Sequence, residues 1–116
     1  MLEYVSGKLI LKKPTLAVID VQGLGYKLLI PTSTFENLPD TGKQVRLVTY
    51  QYVREDAITL YGFGTESERD LFEVMMGVSG IGPKLALAAL SAMRPRELRE
   101  YVVNGEASML TSIPGV

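Results

Sequence analysis

Residues 78–84 read Val-Ser-Gly-Ile-Gly-Pro-Lys, a glycine-rich turn between two stretches that have the apolar spacing of α-helices. Gly80 and Gly82 permit backbone angles that other residues resist, and they place no side chain at the surface. Pro83 suits the first position of a helix, where a missing N–H costs nothing. The pattern therefore predicts two helices joined by a tight turn, the helix-hairpin-helix arrangement.

The start of the second of these helices predicts a site for an anion. Free N–H groups at a helix N-terminus point outward, with the positive end of the helix dipole behind them. Lys84 adds a positive charge at the same place. A DNA backbone phosphate is the natural ligand, held by contacts that fix position and read no bases. The expected contact residues are Ser79, Gly80, Ile81, Gly82, Pro83 and Lys84.

Three other readings of this turn compete with phosphate binding. A nucleotide-binding Walker A loop is a near miss, since Gly77 and Gly82 have the right spacing but Leu85 replaces the hydroxyl residue that would hold Mg²⁺. A dinucleotide fingerprint lacks its third glycine and the strand-helix-strand surroundings. The turn could also simply join two helices and hold no ligand.

The chain before this hairpin predicts β structure. Val5, Gly7, Leu9 and Leu11 alternate with more polar neighbours, and Gly23-Leu24-Gly25 indicates a turn. The predicted strands cover residues 5–11, 15–21, 26–30, 45–53 and 57–63. A short helix capped by Thr32 or Ser33 and ending before Pro39 is expected between the third and fourth strands. Five strands with a helix at this position predict a closed barrel of the OB type.

The hydrophobic period changes from two to 3.6 after Gly64. The predicted helices are one capped by Thr65 or Ser67 with Leu71, Phe72, Met75 and Met76 on one face, an apolar and buried one over 83–93, one from Pro95 with Leu98, Tyr101 and Val102 at core spacing, and a short one over 106–110. We therefore expect an α+β chain, with a five-stranded OB-fold β-barrel over 1–63 and an all-α helix-hairpin-helix domain over 64–116.

The motif at 78–81 has a partial echo in Ile113-Pro114-Gly115-Val116, 35 positions later. Paired hairpins allow two phosphate contacts, so Gly115 is expected to bind DNA as well. The echo stops at Val116, where the first copy continues into Gly-Pro-Lys. We therefore expect the second hairpin to be truncated.

Composition restricts the chemistry that the chain can perform. The 116 residues include no cysteine and no histidine, which removes disulfides, thiolate metal sites and the commonest general base. Twelve basic and thirteen acidic residues give a net charge of −1, so bulk charge would not coat nucleic acid. No signal peptide or membrane-spanning stretch is evident, and a cytoplasmic location without metal or cofactor is expected.

Arg54-Glu55-Asp56 lies between the last two predicted strands. The plainest interpretation is a solvated β-turn, where acidic residues are common. As paired carboxylates, Glu55 and Asp56 could also serve acid–base or metal chemistry, although neighbouring side chains on a turn diverge. On these residues alone, both interpretations stay open.

Three stretches together resemble the RuvA family of bacterial Holliday-junction-binding proteins. They are Val-Arg-Glu-Asp-Ala-Ile-Thr-Leu-Tyr-Gly-Phe at 53–63, Glu-Arg-Asp-Leu-Phe at 68–72, and Val-Ser-Gly-Ile-Gly-Pro-Lys-Leu-Ala-Leu at 78–87. The turn at 23–26 and the terminal 113–116 also fit, so the resemblance covers essentially the whole chain.

The resemblance implies an OB barrel, a domain with two helix-hairpin-helix motifs and a C-terminal domain that engages a RuvB-type ATPase motor and is missing from this sequence. It implies a homotetramer, with an octamer possible, that holds four-way junction DNA on one face and works with a RuvC-type resolvase. Ser79, Gly80, Gly82 and Lys84 match the first hairpin's phosphate contacts. Glu55 and Asp56 match an acidic pin near the junction centre, and we expect Arg54 beside them to contact DNA.

The favoured hypothesis is a non-catalytic subunit that holds the junction open for ATP-driven branch migration. A glycosylase or nuclease would need a catalytic lysine or aspartate just beyond the hairpin, and positions 85–93 contain neither. A single-strand binder of the OB type is the other alternative, since Tyr50 and Tyr52 are expected on one strand face with Arg46 and Arg54.

Overall fold

The computed structural model describes residues 2–103 of the chain. The chain divides into two compact units, Met1–Glu66 and a second that begins at Ser67. None of the helices within residues 2–103 is long and apolar enough to cross a membrane. The predicted helix at 106–110 and the predicted second hairpin with Gly115 lie outside the described residues.

The first unit is a five-stranded closed barrel with one short helix. Its elements are β1 (Tyr4–Lys13), β2 (Leu16–Val21), β3 (Leu24–Leu29), α1 (Thr32–Glu36), β4 (Gln44–Val53) and β5 (Ile58–Phe63). The strand order around the barrel is β1-β2-β3-β5-β4, with β1 closing against β4 and with β3 and β5 parallel. This order, with α1 between β3 and β4, confirms the predicted OB-type barrel.

β1 closes the barrel by pairing with two different strands. Its first half, up to Lys8, pairs with β4, and its second half pairs with β2. A β-bulge interrupts the second pairing between Leu9 and Leu11, so the alternation of faces shifts there. Leu9 is fully buried, but Leu11 is 39% exposed. The alternation that runs through Val5, Gly7 and Leu9 therefore does not continue as a buried face at Leu11, because the bulge inserts one residue.

The turn between β2 and β3 lies one residue earlier than the glycine pattern predicts. Val21 pairs with Leu24, so the loop consists of Gln22 and Gly23. Both have positive φ, 51° and 93°, as the tightest twisted hairpin turns require, and glycine adopts such an angle without strain. The Asp20 carboxylate accepts a hydrogen bond of 2.8 Å from Gly23 N–H.

The short helix α1 ends before Pro39 as predicted, but its cap differs. Pro31 occupies the N-cap with no side-chain hydrogen bond, so Thr32 and Ser33 lie inside the helix. The buried Thr34 hydroxyl instead accepts a hydrogen bond of 3.3 Å from the backbone N–H of Gly64. Thr34 thereby ties α1 to the segment that follows β5.

Apolar side chains from four strands and the residue after β3 fill the barrel. The buried cluster consists of Val5, Leu9, Ala17, Ile19, Leu28, Ile30 and Leu47, with Val21, Tyr26, Phe35, Leu38, Val45 and Leu60 packed against it. Phe35 and Leu38 come from α1 and the residues after it, so this region covers part of the core. Burial at this scale contributes roughly 1.5–3 kcal/mol for each fully buried large side chain.

The second unit contains three described helices: α2 (Glu66–Met76), α3 (Pro83–Ala92) and α4 (Pro95–Val103). α2 begins directly after Thr65, and Ser67 lies inside it, so only Thr65 has a capping position. Its predicted apolar face is confirmed, since Leu71, Phe72 and Met75 are buried. Leu98 of α4 is also fully buried.

Helix α3 is less buried than its composition predicts. Ala86, Ala89 and Leu90 are buried, while Ser91 and Ala92 are exposed, so the prediction of a helix buried all round is wrong. The remaining positions are small or end in flexible side chains, and alanine tolerates solvent. The helix ends at Ala92, with Met93 as its C-cap.

Candidate nucleic-acid interface

The predicted hairpin is a compact turn between α2 and α3. Gly77 N–H donates to the Val74 carbonyl at 3.1 Å, and Val78 N–H donates to the Met75 carbonyl at 3.0 Å, which closes the end of α2. Ile81 N–H then donates to the Val78 carbonyl at 3.2 Å and reverses the chain. The backbone therefore folds the loop by its own hydrogen bonds.

The two glycines of the hairpin differ in backbone conformation, and only one of the two conformations favours glycine. Gly80 has φ of 87°, an angle that side chains with a Cβ adopt at a cost, so the turn itself requires it. Gly82 has φ −99° and ψ 176°, which any residue adopts, and a Cβ added there would meet no atom within 4 Å. Among residues 2–103, neither backbone geometry nor packing requires glycine at position 82.

The N-terminus of α3 carries the positive end of its helix dipole. Gly82 is the N-cap and Pro83 the first helical residue, and Ala86 N–H donates to the Gly82 carbonyl at 3.0 Å. The N–H groups of Lys84 and Leu85 come before this bond, where a helix offers them no carbonyl four residues back. The first turn contains no acidic residue and no side-chain cap, so the helix dipole is unopposed there.

Apolar residues anchor the loop while its polar groups stay open. Ile81 is only 8% exposed and Val78 is half-buried, whereas Ser79, Gly80, Gly82 and Lys84 are exposed. The structure thus brings the six predicted residues of 79–84 into one turn, in which Ile81 is buried and Pro83 is half-buried. Their contact with a phosphate stays a prediction.

The acidic residues occupy the tip of the β4–β5 hairpin. Val53 and Ile58 form the last strand pair, and Arg54 N–H donates to the Ala57 carbonyl at 2.8 Å across a four-residue loop. Arg54, Glu55 and Asp56 are all exposed. Among residues 2–103, no metal-binding group of three or more acidic side chains forms. The loop therefore carries two solvated carboxylates at the tip of the hairpin.

The loop stands on an arm that sequence reasoning missed. β1 pairs with β4 only from Gln44 to Val48, so the end of β4 pairs with β5 alone. Val53 and Ile58 at the top of this arm are 61% and 66% exposed. Apolar residues in a predicted strand are normally assigned to a core. The signal in the sequence against this assignment is that the two strands are longer than a small barrel needs.

The aromatic residues of β4 and its neighbouring strands have several contacts that bear on single-strand binding. The Arg46 guanidinium lies 4.1 Å from the centre of the Tyr4 ring, a cation–π contact on the neighbouring strand. Tyr50 pairs with Tyr61, and Tyr52 pairs with Thr59. Burial raises the pKa of Tyr61, the charge of Tyr52 adds to this effect, and Arg54 opposes it. Tyr61 is therefore a neutral, buried residue and no stacking platform.

The fold and the hairpin define a class: an OB-type barrel followed by a helix-hairpin-helix unit. The family model described as the RuvA N-terminal domain matches residues 1–62. The model described as a SAM-like helix-hairpin-helix tandem matches residues 72–116. The chain belongs to the RuvA family, as the resemblance implied.

Three curated relatives show how far this similarity extends, and each is described as a Holliday junction branch migration complex subunit RuvA. The protein from Salinibacter ruber is 57% identical over 116 residues, all of this chain and 57% of its own length. Those from Geobacter sp. strain M21 and Ralstonia nicotianae are 46% and 49% identical over 116 residues, covering 58% and 60% of their lengths. The chain thus spans less than two thirds of these relatives.

Proposed function

We propose that the chain is the junction-binding part of a Holliday junction branch migration subunit. It binds four-way DNA through backbone phosphates, without reading bases and without chemistry on the DNA. The observation that carries this proposal is the α3 N-terminus, where free N–H groups, an unopposed helix dipole and exposed Lys84 meet at one point. Membership of the RuvA family supports the choice of a four-way junction over plain duplex.

Gly82 supports a close backbone contact with the ligand. The backbone angles and the described surroundings of residue 82 permit a side chain. Because this residue is nevertheless glycine, the space beside it is free for a group of a binding partner. A phosphate oxygen that accepts hydrogen bonds from the helix N-terminus must approach the main chain within about 3 Å, where a Cβ would interfere.

The carboxylates of Glu55 and Asp56 act by repulsion in this proposal. They project into solvent at the end of the arm, so they would meet DNA before the barrel does. Carboxylates near phosphates disfavour entry of the strands, which would keep the centre of an open junction clear and guide strand separation. Arg54 at the root of the same loop supplies a compensating phosphate contact.

Four-way specificity arises from assembly rather than from one hairpin. A homotetramer, or two tetramers as an octamer, would present four hairpins to four arms and four acidic loops to the centre. The remaining parts of the proposal are a second phosphate contact at Gly115, presentation of the junction to a RuvB-type ATPase motor and cooperation with a RuvC-type resolvase. The names of the matched relatives support the branch migration role.

The proposed role is non-catalytic and needs no cofactor. Chemistry on DNA would require a positioned base, nucleophile or metal site next to the hairpin. The exposed carboxylates at 55 and 56 stand on a loop with no third ligand among residues 2–103, and they suit electrostatic guidance better than metal binding.

A competition gel-shift tests whether the chain prefers a four-way junction to linear duplex. A labelled four-way junction is bound at moderate salt and competed with unlabelled junction or with linear duplex that has the sequence of two of its arms. The junction should compete more than tenfold better than the duplex. Equal competition by the two DNAs would contradict the proposal. Sedimentation with and without junction measures the expected tetramer in the same samples.

A further inference from the structure

A cleft of about 220 Å³ lies on the barrel beside the acidic arm. Its walls come from β3 and β5, and it is lined by Lys27, Leu29, Ile58, Thr59 and Leu60. This volume lies below the roughly 300 Å³ at which pockets for drug-sized molecules begin, so one flat ring fits and a whole cofactor does not.

The cleft exists because β3 and β5 hardly pair. They are the only parallel neighbours in the barrel, and one residue pair, Leu29 with Tyr61, joins them. The lining residues lie at this pair or on its N-terminal side in both strands, where the strands separate. The opening is thus a consequence of the strand order and does not depend on a mobile loop.

The chemistry of the cleft is divided between apolar walls and a charged edge. Leu29 and Leu60 are half-buried and Ile58 is 66% exposed, and all three line the cleft. Lys27 is exposed at the edge, and no carboxylate among the described residues pairs with it. An occupant that has a flat apolar part and an adjacent negative charge fits both features.

We propose that this cleft holds one unpaired nucleotide of a DNA strand, with its base against Ile58, Leu29 and Leu60 and its phosphate on Lys27. Barrels of the OB type often bind oligonucleotides near the β4–β5 loop, and the loop over 54–57 stands directly above Ile58. The carboxylates at 55 and 56 repel phosphates from the tip, which leaves the lysine edge as the favourable path. The inference rests on the proposed junction function, since an opened junction supplies unpaired nucleotides.

The test uses the 116-residue chain and a fluorescein-labelled 12-nucleotide oligothymidylate, with anisotropy measured between 0.05 and 0.3 M salt. Lys27→Gln removes one phosphate contact, so the salt slope should fall by about 0.7, equivalent to about fivefold weaker binding at 0.1 M salt. Ile58→Thr keeps a β-branched residue but removes apolar surface, so it should weaken binding and leave the slope unchanged. Lys43→Gln is the matched control, because this exposed lysine lies outside the cleft.

The outcomes separate this inference from the proposed function. Wild-type preference for junction over duplex, together with unchanged oligothymidylate binding in Lys27→Gln and Ile58→Thr, would overturn the cleft and leave the junction role intact. Loss of junction preference, with the expected changes in both variants, would leave the cleft standing alone. A lower solution mass for Ile58→Thr with unchanged nucleotide binding would make the cleft a contact between copies and refute the inference.

Discussion

Replacing Gly82 and Gly80 by alanine, one at a time, separates the folding of the hairpin from its contact with DNA. The two residues are exposed and lie two positions apart in the same turn. An added Cβ meets no atom within 4 Å at either position. They differ in backbone conformation, since only Gly80 has a positive φ, at 87°.

The structure predicts different effects on stability. At position 80, alanine must adopt the left-handed region, which costs about 1–2 kcal/mol. At position 82, φ of −99° is already suitable for alanine, and the less flexible unfolded chain favours folding by about 0.4–1 kcal/mol. The poorer N-cap preference of alanine opposes this gain by a similar amount, since Gly82 is the N-cap of α3. For a small domain, a loss of 1 kcal/mol lowers Tm by about 4–8 °C. Gly80→Ala should therefore melt several degrees lower, and Gly82→Ala close to wild type.

DNA binding should follow a different order. If a phosphate approaches the main chain at the α3 N-terminus, a methyl group on residue 82 blocks it, and junction affinity should fall at least tenfold in a variant that is fully folded. Helical circular dichroism during heating reports stability, and competition gel-shift below the transition reports affinity. Lys43→Gln serves as an exposed control in both assays.

Wild-type junction affinity in Gly82→Ala would refute the close approach and with it the physical reason for glycine at this position. A clearly lowered Tm in Gly82→Ala would show that the residue supports the fold. Reduced DNA binding could then result from partial unfolding of the hairpin. Only the combination of unchanged stability and lost affinity agrees with the proposed contact.

Three further predictions concern charge. Lys84→Gln should reduce the salt slope of duplex-arm binding by about 0.9, about eightfold in affinity at 0.1 M salt; an unchanged slope in a salt titration would count against a phosphate contact. Glu55→Gln combined with Asp56→Gln should preserve or strengthen junction binding while altering junction processing in a branch migration assay, and lost binding would contradict the repulsive role. Because burial raises the pKa of Tyr61 in the folded chain, its contribution to stability is complete below about pH 10 and is lost as pH rises through the folded value. Tyr61→Phe should reduce this alkaline loss in denaturation curves measured at pH 8 to 11, and an unaltered pH dependence would exclude Tyr61 as its source.

Much of the barrel could be predicted because its core depends on local alternation. Val5 and Leu9 follow a period-two pattern in β1, and the OB-type barrel was expected from the number of strands and the position of α1. The hairpin was predictable for another reason, since Gly80 and Pro83 act through backbone geometry that each residue type encodes by itself.

Features that depend on pairing partners escaped prediction. The bulge beside Leu9 inserts one residue into β1 where the strand pairs with β2, and no local pattern encodes this irregularity. The same applies to the exposed Val53 and Ile58, which are apolar strand residues on an arm that the barrel does not cover. The cleft next to this arm arises from a single β3–β5 pair, again a property of two distant segments.

The acidic loop and the hairpin have opposite charges and opposite relations to the fold. Glu55 and Asp56 are held by strand pairing and could be changed without structural loss, whereas the phosphate contacts proposed for the hairpin use main-chain groups, which every substitution except proline leaves in place. In this proposal, a chain with a net charge of −1 still binds phosphates, because the attraction comes from helix geometry while the side-chain charge is free to repel. On this argument, substitutions at 55 and 56 should alter where strands go, and substitutions at 82 should alter whether DNA stays bound.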